Sequence, residues 1–270
     1  MRVLVTGGAG FIGANTCLAL TAHPAVERVV ALDNLSTGDA ANLDGMPVQL
    51  VAGSILDADL LADLVRDVDA VVHLAARPSV PRSLADPVAS HEANATGTLR
   101  VLEACRRAGT YVVAASSSSV YGSVEQLPKH EDLATRPVSP YAASKLAAEA
   151  YLLAYRSAFG VPTLSLRFFN VFGPMQSAGH AYAAVIPAFV DAALRGHPLR
   201  VYGDGTQSRD FTYVGTVTQV LVDAVVRRVT NETPVNLAYG NRVSLLTLIA
   251  RLRELIGRPI EVEHLPPRVG

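Results

Sequence analysis

The sequence predicts an α/β protein: a doubly wound parallel sheet with a smaller C-terminal α/β lobe. Apolar runs alternate with helical patterns from the start, as RVLVT, FIGANTCLALTA, RVVALD, VQLVA, DADLLADLVRDV and AVVHLAA. Strands so continuously apolar are buried on both faces, which is the mark of parallel strands covered by crossover helices. The first strand runs straight into the glycine-rich TGGAGFIG, which opens the first helix. Beyond Gly173 the alternation weakens and the strand-like pieces shorten.

Taken in order, the second strand closes at Asp33, and the segment from Asp86 to Ala108 begins with an Asp-Pro pair suited to cap and open a helix. It leads to the strand YVVAAS. A further helix is predicted from about Pro140 to Phe159, followed by the strand TLSLRFF. Helices near 182–195, 214–228 and 244–256 then interleave with LRVYG, PVNLA and IEVEHL. Residues 1–172 are therefore expected to form one α/β domain and 173–270 mainly a second lobe, with no repeat or low-complexity linker. The chain stops at PPRVG without a closing helix or polar tail, so that lobe is expected to be truncated at its C-terminus.

Composition narrows the function. The 270 residues are half apolar and 17% charged, which suits a well-buried globular protein rather than a disordered one. A formal net charge of −1 supplies no field for wrapping nucleic acid. Met1 leads directly into a strand, and no run approaches a membrane span, so neither a signal peptide nor a membrane partner is expected. Cys17 and Cys105 have no metal-like spacing and read as buried thiols in a reducing cytoplasm, and no metal is expected.

Gly7, Gly10 and Gly13 fall three apart at the strand-to-helix turn. Glycine there permits the tight turn, the approach of backbone to a pyrophosphate and close packing of the helix whose N-terminus faces it. Asp33 ends the second strand twenty residues after Gly13, where an acid accepts hydrogen bonds from a ribose 2′-OH and repels a 2′-phosphate. The expectation is a Rossmann-type domain that binds NAD rather than NADP.

The chain has only two lysines, and one lies in SPYAASK four residues after Tyr141. On a helix, Tyr141 and Lys145 share a face. A Tyr hydroxyl titrates near 10, so service as a base at pH 7 needs its phenolate stabilised by about three units, or roughly 4 kcal/mol. A compact ammonium on a flexible stem suits that task better than a planar guanidinium. The strand YVVAAS runs into SSSSVYG, placing hydroxyls that donate and accept at the carboxyl end of a parallel strand, where ligands sit.

With TGGAGFIG, DNLSTG, HLAA, ANATGT, SSSSVYG, SPYAASK, RFFNVFGP and GDGTQSRDFTYV in order, the sequence resembles the extended short-chain dehydrogenase/reductases, specifically their nucleotide-sugar epimerase and dehydratase branch. The resemblance implies that Tyr141 is the catalytic base, Lys145 its activator and ribose anchor, and Ser117 the proton shuttle to the sugar O4. It implies a cofactor site of Gly7, Gly10, Phe11, Ile12, Gly13, Asp33, Asn34, Ser54, Ile55, Leu74, Ala75, Ala76, Asn94, Ser116 and Phe168, with Tyr141 and Lys145. On the sugar-nucleotide side it implies Ser79, Ser117, Ser118, Ser119, Tyr141 and Asn170, with Arg209 and Arg268 clamping the diphosphate. His73 reads as a satisfied core histidine. Ser54 stands where the family usually has an Asp, and Arg77 where a neutral residue is common.

The resemblance also separates reactions. Dehydratases of the branch carry an Asp-Glu pair before the Val-Tyr of the serine loop, and related decarboxylases a Glu at its second position. Here the pair is Ser118-Ser119. What remains is oxidation and reduction at C4. The expected function is thus an NAD-dependent 4-epimerase of UDP-glucose/UDP-galactose or UDP-GlcNAc/UDP-GalNAc, working as a cytoplasmic homodimer. The alternatives are a UDP-glucuronate 4-epimerase, in which Arg77 or Arg82 would meet the carboxylate, a nucleotide-sugar 4-ketoreductase, or a catalytically silent NAD-binding sensor.

Overall fold

The structure, a computed structural model, describes residues 1–179 and 183–266. Strand β1 (Arg2–Thr6) passes through the glycine turn into α1 (Phe11–Thr21), then β2 (Arg28–Asp33), β3 (Val48–Ala52), α2 (Ala58–Arg66) and β4 (Ala70–His73). A short α3 (Val80–Ala85) comes first, and the segment expected to be helical from Asp86 is two helices, α4 (Pro87–His91) and α5 (Gly97–Ala108), joined by a π turn over Glu92–Thr96. Asp86 does cap α4, its carboxylate accepting Ala89 N–H at 3.0 Å. Next come β5 (Tyr111–Ser117) and α6 (Pro140–Phe159). The last of these opens on Ser139, whose hydroxyl accepts Ala142 N–H at 3.1 Å, has Pro140 in its first turn, and stops at left-handed Gly160. Those signals fix the register of Tyr141 and Lys145.

The chain continues through β6 (Thr163–Phe168), β7 (Asn170–Phe172), α7 (Val185–Arg195), β8 (Leu199–Tyr202), β9 (Ser208–Arg209), β10 (Phe211–Tyr213) and α8 (Val214–Arg227). It ends with β11 (Val235–Leu237), β12 (Val243–Ser244), α9 (Leu245–Ile256) and β13 (Val262–Leu265). Seven strands form one parallel sheet in the order β11-β6-β5-β4-β1-β2-β3. The chain starts in the middle and winds first one way, then the other. The switch point between β1 and β4 is where such sheets open a crevice beyond the strand ends.

Both faces are covered, as the continuous apolar strands require. Val3, Val5, Val72 and Val113 pack with Ala14, Cys17 and Leu20 of α1 and Val217, Leu221 and Val225 of α8. Leu4, Val71 and Val112 point the other way onto Leu61 of α2, Leu102 of α5 and Leu152 of α6. Both cysteines are buried and free, and burial pushes the Cys17 thiol up to about 12, as inert core thiols behave.

The division at residue 172 is crossed by the chain. Helix α8 and strand β11 lie beyond it yet complete the large sheet, and Tyr111 donates its hydroxyl to Val229 O at 2.7 Å to fasten the return. The reason is the apolar stripe of α8, which finds its partner on α1. The smaller lobe has its own core, Phe189, Leu199, Val201, Ile249 and Leu252, around the parallel pair β8 and β13. Among the described residues no helix is long and apolar enough to cross a membrane.

Candidate active site

A cavity of about 1020 Å³ opens at the switch point, at the upper end of small-ligand sites. Its floor is the glycine turn. Gly7 has φ +71, and a Cβ there would come within 2.7 Å of Ala75 N. A Cβ on Gly13 would stand 2.0 Å from Gly7 O, a clash with backbone that no rotamer relieves. Gly7, Gly10, Phe11, Ile12 and Gly13 line the cavity together with Leu74, Ala75 and Ala76 from the end of β4. A turn this bare, at the N-terminus of α1, fits a pyrophosphate.

At one end lie Asp33, Asn34, Ser54 and Ile55. The buried Asp33 carboxylate accepts Ala9 N–H at 3.0 Å and Leu35 N–H at 2.8 Å, one on each oxygen, and further lone pairs remain for a diol. A Cβ on Gly38 would come 2.9 and 3.0 Å from those two oxygens, so glycine in DNLSTG keeps the approach to the carboxylate open. Ser54 accepts Leu56 N–H at 3.1 Å, a loop contact that leaves its hydroxyl proton for a ligand.

The catalytic candidates stand beside the cavity rather than in its wall. The Ser117 hydroxyl is directed at the Tyr141 side chain and favours its ionised form. Lys145, 6% exposed, donates to Ala115 O, and Ala115 and Phe168 do line the cavity. Burial pushes the Tyr141 phenol above its ordinary value, and Ser117 opposes that only in part. Burial likewise pulls Lys145 down to about 8, against the pull of Glu149.

Two residues expected at the cofactor have structural partners instead. Asn94, in the π turn, accepts Arg77 N–H at 2.7 Å, donates to Arg77 O at 3.3 Å and donates to Ser144 Oγ at 2.9 Å. It stitches the loop after β4 to α6, and its neighbour Ala93 is the residue that reaches the cavity. Ser116 points its hydroxyl into the core, donating to Glu149 at 2.7 Å, because alternate residues of β5 face opposite sides of the sheet. His73 is a core histidine, as expected. Thr98 spends its proton on Asn94 O at 2.6 Å, so His73 Nε2 donates to Thr98 Oγ1 at 3.0 Å and Nδ1 accepts the Thr6 hydroxyl at 2.7 Å. Burial holds its pKa down at about 3, so the ring is neutral.

On the sugar side, Ser79 lines the cavity with φ +96, a left-handed backbone that a non-glycine residue adopts only where its surroundings enforce it. Ser118 and Ser119 follow Ser117 in a short 3₁₀ turn, and Ser117 Oγ accepts Ser119 N–H at 3.2 Å. The Ser119 hydroxyl is buried without a partner, an unsatisfied group aimed at no protein atom. Asn170 donates to Asp210 O at 3.0 Å, so it sits next to Arg209, which is exposed on β9. Arg268 lies outside the described residues. Arg77 pairs with Asp86 at 3.6 Å, whereas Arg82 lines the cavity.

Sequence reasoning missed Gln176 and the Glu149–Arg167 pair. Gln176 lines the cavity and its buried Oε1 has no partner. The available signal is its place two residues after RFFNVFGP. Arg167 and Glu149 meet at 2.7 and 2.9 Å, both almost wholly buried. A buried charge pair leaves no periodic trace, since each residue read alone looks solvated.

A dinucleotide cavity at the switch point of this sheet, with a Ser–Tyr–Lys group at the adjoining strand end, defines an extended short-chain dehydrogenase/reductase. The chain belongs to the NAD dependent epimerase/dehydratase family, which it matches over residues 3–238. It is 39% identical to the UDP-glucose 4-epimerase of Mycolicibacterium smegmatis, over 100% of this chain and 87% of that protein. Among solved structures it is similar to a UDP-N-acetylglucosamine 4-epimerase from Methanobrevibacter ruminantium in complex with UDP-N-acetylmuramic acid. There the TM-score is 0.92 and the identity 36%, covering 99% of this chain and 86% of that one. For the Thermus thermophilus UDP-glucose 4-epimerase in complex with NAD the TM-score is 0.89 and the identity 37%, covering 99% and 87%.

Proposed function

We propose that this chain is an NAD-dependent 4-epimerase of UDP-sugars acting in the cytoplasm. The observation that carries the reading is the Ser117–Tyr141 pair beside the dinucleotide cavity, with hydroxyls rather than carboxylates at 118 and 119. Elimination of water would need an acid and a base beyond C4, and this loop offers neither.

Asp33 and the glycine turn would hold the dinucleotide, with Lys145 at its ribose. NAD, when bound, supplies the hydride acceptor and donor for C4 and a positive charge beside the phenol. Tyr141 takes the O4 proton through Ser117, and the Lys145 ammonium stabilises the phenolate form that burial opposes. Ser118 and Ser119 meet the sugar hydroxyls, while Asn170 and Arg209 hold the nucleotide diphosphate. After the ring turns over, Tyr141 returns the proton to O4 on the opposite face.

Incubating the purified protein with UDP-glucose and, separately, UDP-N-acetylglucosamine, with no cofactor added, is expected to yield the 4-epimer of at least one. No conversion of either, with NAD released on denaturation, would overturn the substrate assignment and leave the site standing.

We also propose a homodimer through the outer faces of α4, α5 and α6. Small residues on α6, including Ala143, Ala150 and Ala154, are exposed there, as are Val88 at 65% and Phe159 at 56%. Apolar side chains left open on neighbouring helices support a helix-packed contact. Sedimentation of the purified chain is expected to give twice its mass, and a monomer at micromolar concentration would dismiss the contact.

A further inference from the structure

The catalytic helix carries a second buried charge that the reaction above does not use. Glu149 lies one turn beyond Lys145 on α6 and is 3% exposed. Its Oε2 accepts from Ser116 Oγ at 2.7 Å and from Arg167 Nε at 2.9 Å, and its Oε1 accepts from Arg167 Nη2 at 2.7 Å. Each partner adjoins the site: Ser116 precedes Ser117 on β5, and Arg167 precedes Phe168 on β6. One carboxylate therefore ties together the two strand ends and the helix that present the catalytic group.

We propose that Glu149 is a positioning residue for the Ser117–Tyr141–Lys145 group, locking β5 and β6 to α6 and holding Lys145 in its charged form. The proposal rests on the reading of Lys145 as the cation that serves Tyr141. A lone surface carboxylate would be screened, but here it acts through a dry interior where charge interactions are strong.

The groups around the ammonium make Glu149 its counter-charge. From β5 comes the Ala115 carbonyl, from α6 Glu149 itself, and from β4 the neutral His73. Arg167 of β6 is spent on Glu149. Of the charges on α3, α4 and the π turn, His91 and Glu92 are exposed, and Arg82 and Asp86 are half-buried. Burial draws Lys145 down to about 8, and Glu149 is what keeps it from falling further. The sign follows: loss of the carboxylate lowers the Lys145 midpoint, and the ammonium then disappears at a lower pH.

The chain has two lysines, so the protein as purified, grown with ¹³Cε-lysine, shows two side-chain resonances, which a Lys129→Arg variant assigns. Glu149→Gln is expected to move the Lys145 midpoint down by about one pH unit. Turnover should then fall about five-fold near pH 8, where the protonated share drops from about a half to about a tenth, and stay close to wild type near pH 6. Because Glu149→Gln leaves Arg167 unpaired, the same titration is made on Glu149→Gln with Arg167→Met, where the shift keeps its direction. An unmoved Lys145 midpoint in both variants, or a loss of turnover equal at every pH, overturns the proposal. A wild-type protein that epimerises no UDP-sugar overturns the function proposed above, and the lysine titration still decides the role of Glu149.

Discussion

Tyr141→Phe is expected to lower turnover by about 10³-fold while leaving the protein folded and able to hold NAD. General-base catalysis by a positioned side chain contributes roughly 10² to 10⁴, and here the phenol is the group paired with Ser117 at the end of β5. The substitution removes one oxygen from a half-buried ring and creates no clash. The glycine turn and Asp33 are untouched, so NAD released on denaturation should match the wild type mole for mole. The measurement is epimer formation under single-turnover conditions, paired with that NAD count. Turnover within a few-fold of wild type would remove Tyr141 from the proton path, and the burden would pass to Ser117 acting with solvent.

Arg167→Met should destabilise the fold strongly, by about 3 to 5 kcal/mol. The guanidinium is 4% exposed. It holds Glu149 through two bonds at 2.7 and 2.9 Å, donates to Tyr121 Oη at 2.9 Å and stacks 4.8 Å from the Tyr121 ring centroid. Tyr121 in turn donates to Asn236 of β11 at 2.7 Å, so the network spans β5, α6, β6 and the sheet edge. Methionine fills much of the volume but leaves a carboxylate inside the protein with Ser116 as its remaining partner. For a chain of this size the loss corresponds to roughly 6 to 20 °C in Tm. Adding Glu149→Gln removes the stranded charge and is expected to recover most of the loss. Urea unfolding of wild type, single and double variants decides it. A single variant within about 1 kcal/mol of wild type would mean that water reaches the pair.

Much of this site is local in origin, which is why it is legible in the sequence. The glycine turn, its helix and Asp33 lie within consecutive elements, and their roles follow from backbone geometry that a few residues dictate. The same holds for Tyr141 and Lys145, whose shared face follows from helix period once Ser139 and Pro140 mark the start. Where sequence and structure part, the difference is one of facing. Asn94 reads as a cofactor residue, but the π turn rotates it toward Arg77 and Ser144. Ser116 and Ser117 differ by one place on β5, and the pleat sends one to the core and the other to the site.

The sequence by itself determined the alternation of strands and helices, the glycine turn followed by Asp33, and the shared helix face of Tyr141 and Lys145, because each is written in short-range spacing. Tertiary structure decided the rest. It alone returned α8 and β11 to the large sheet across the boundary at 172, since the stripe of Val217, Leu221 and Val225 is satisfied only against α1 and the strands beside it. It alone brought Glu149, Ser116 and Arg167 together from three elements. A buried carboxylate and a buried guanidinium are each unfavourable alone and tolerable only as a pair, and pairing is a property of the folded chain.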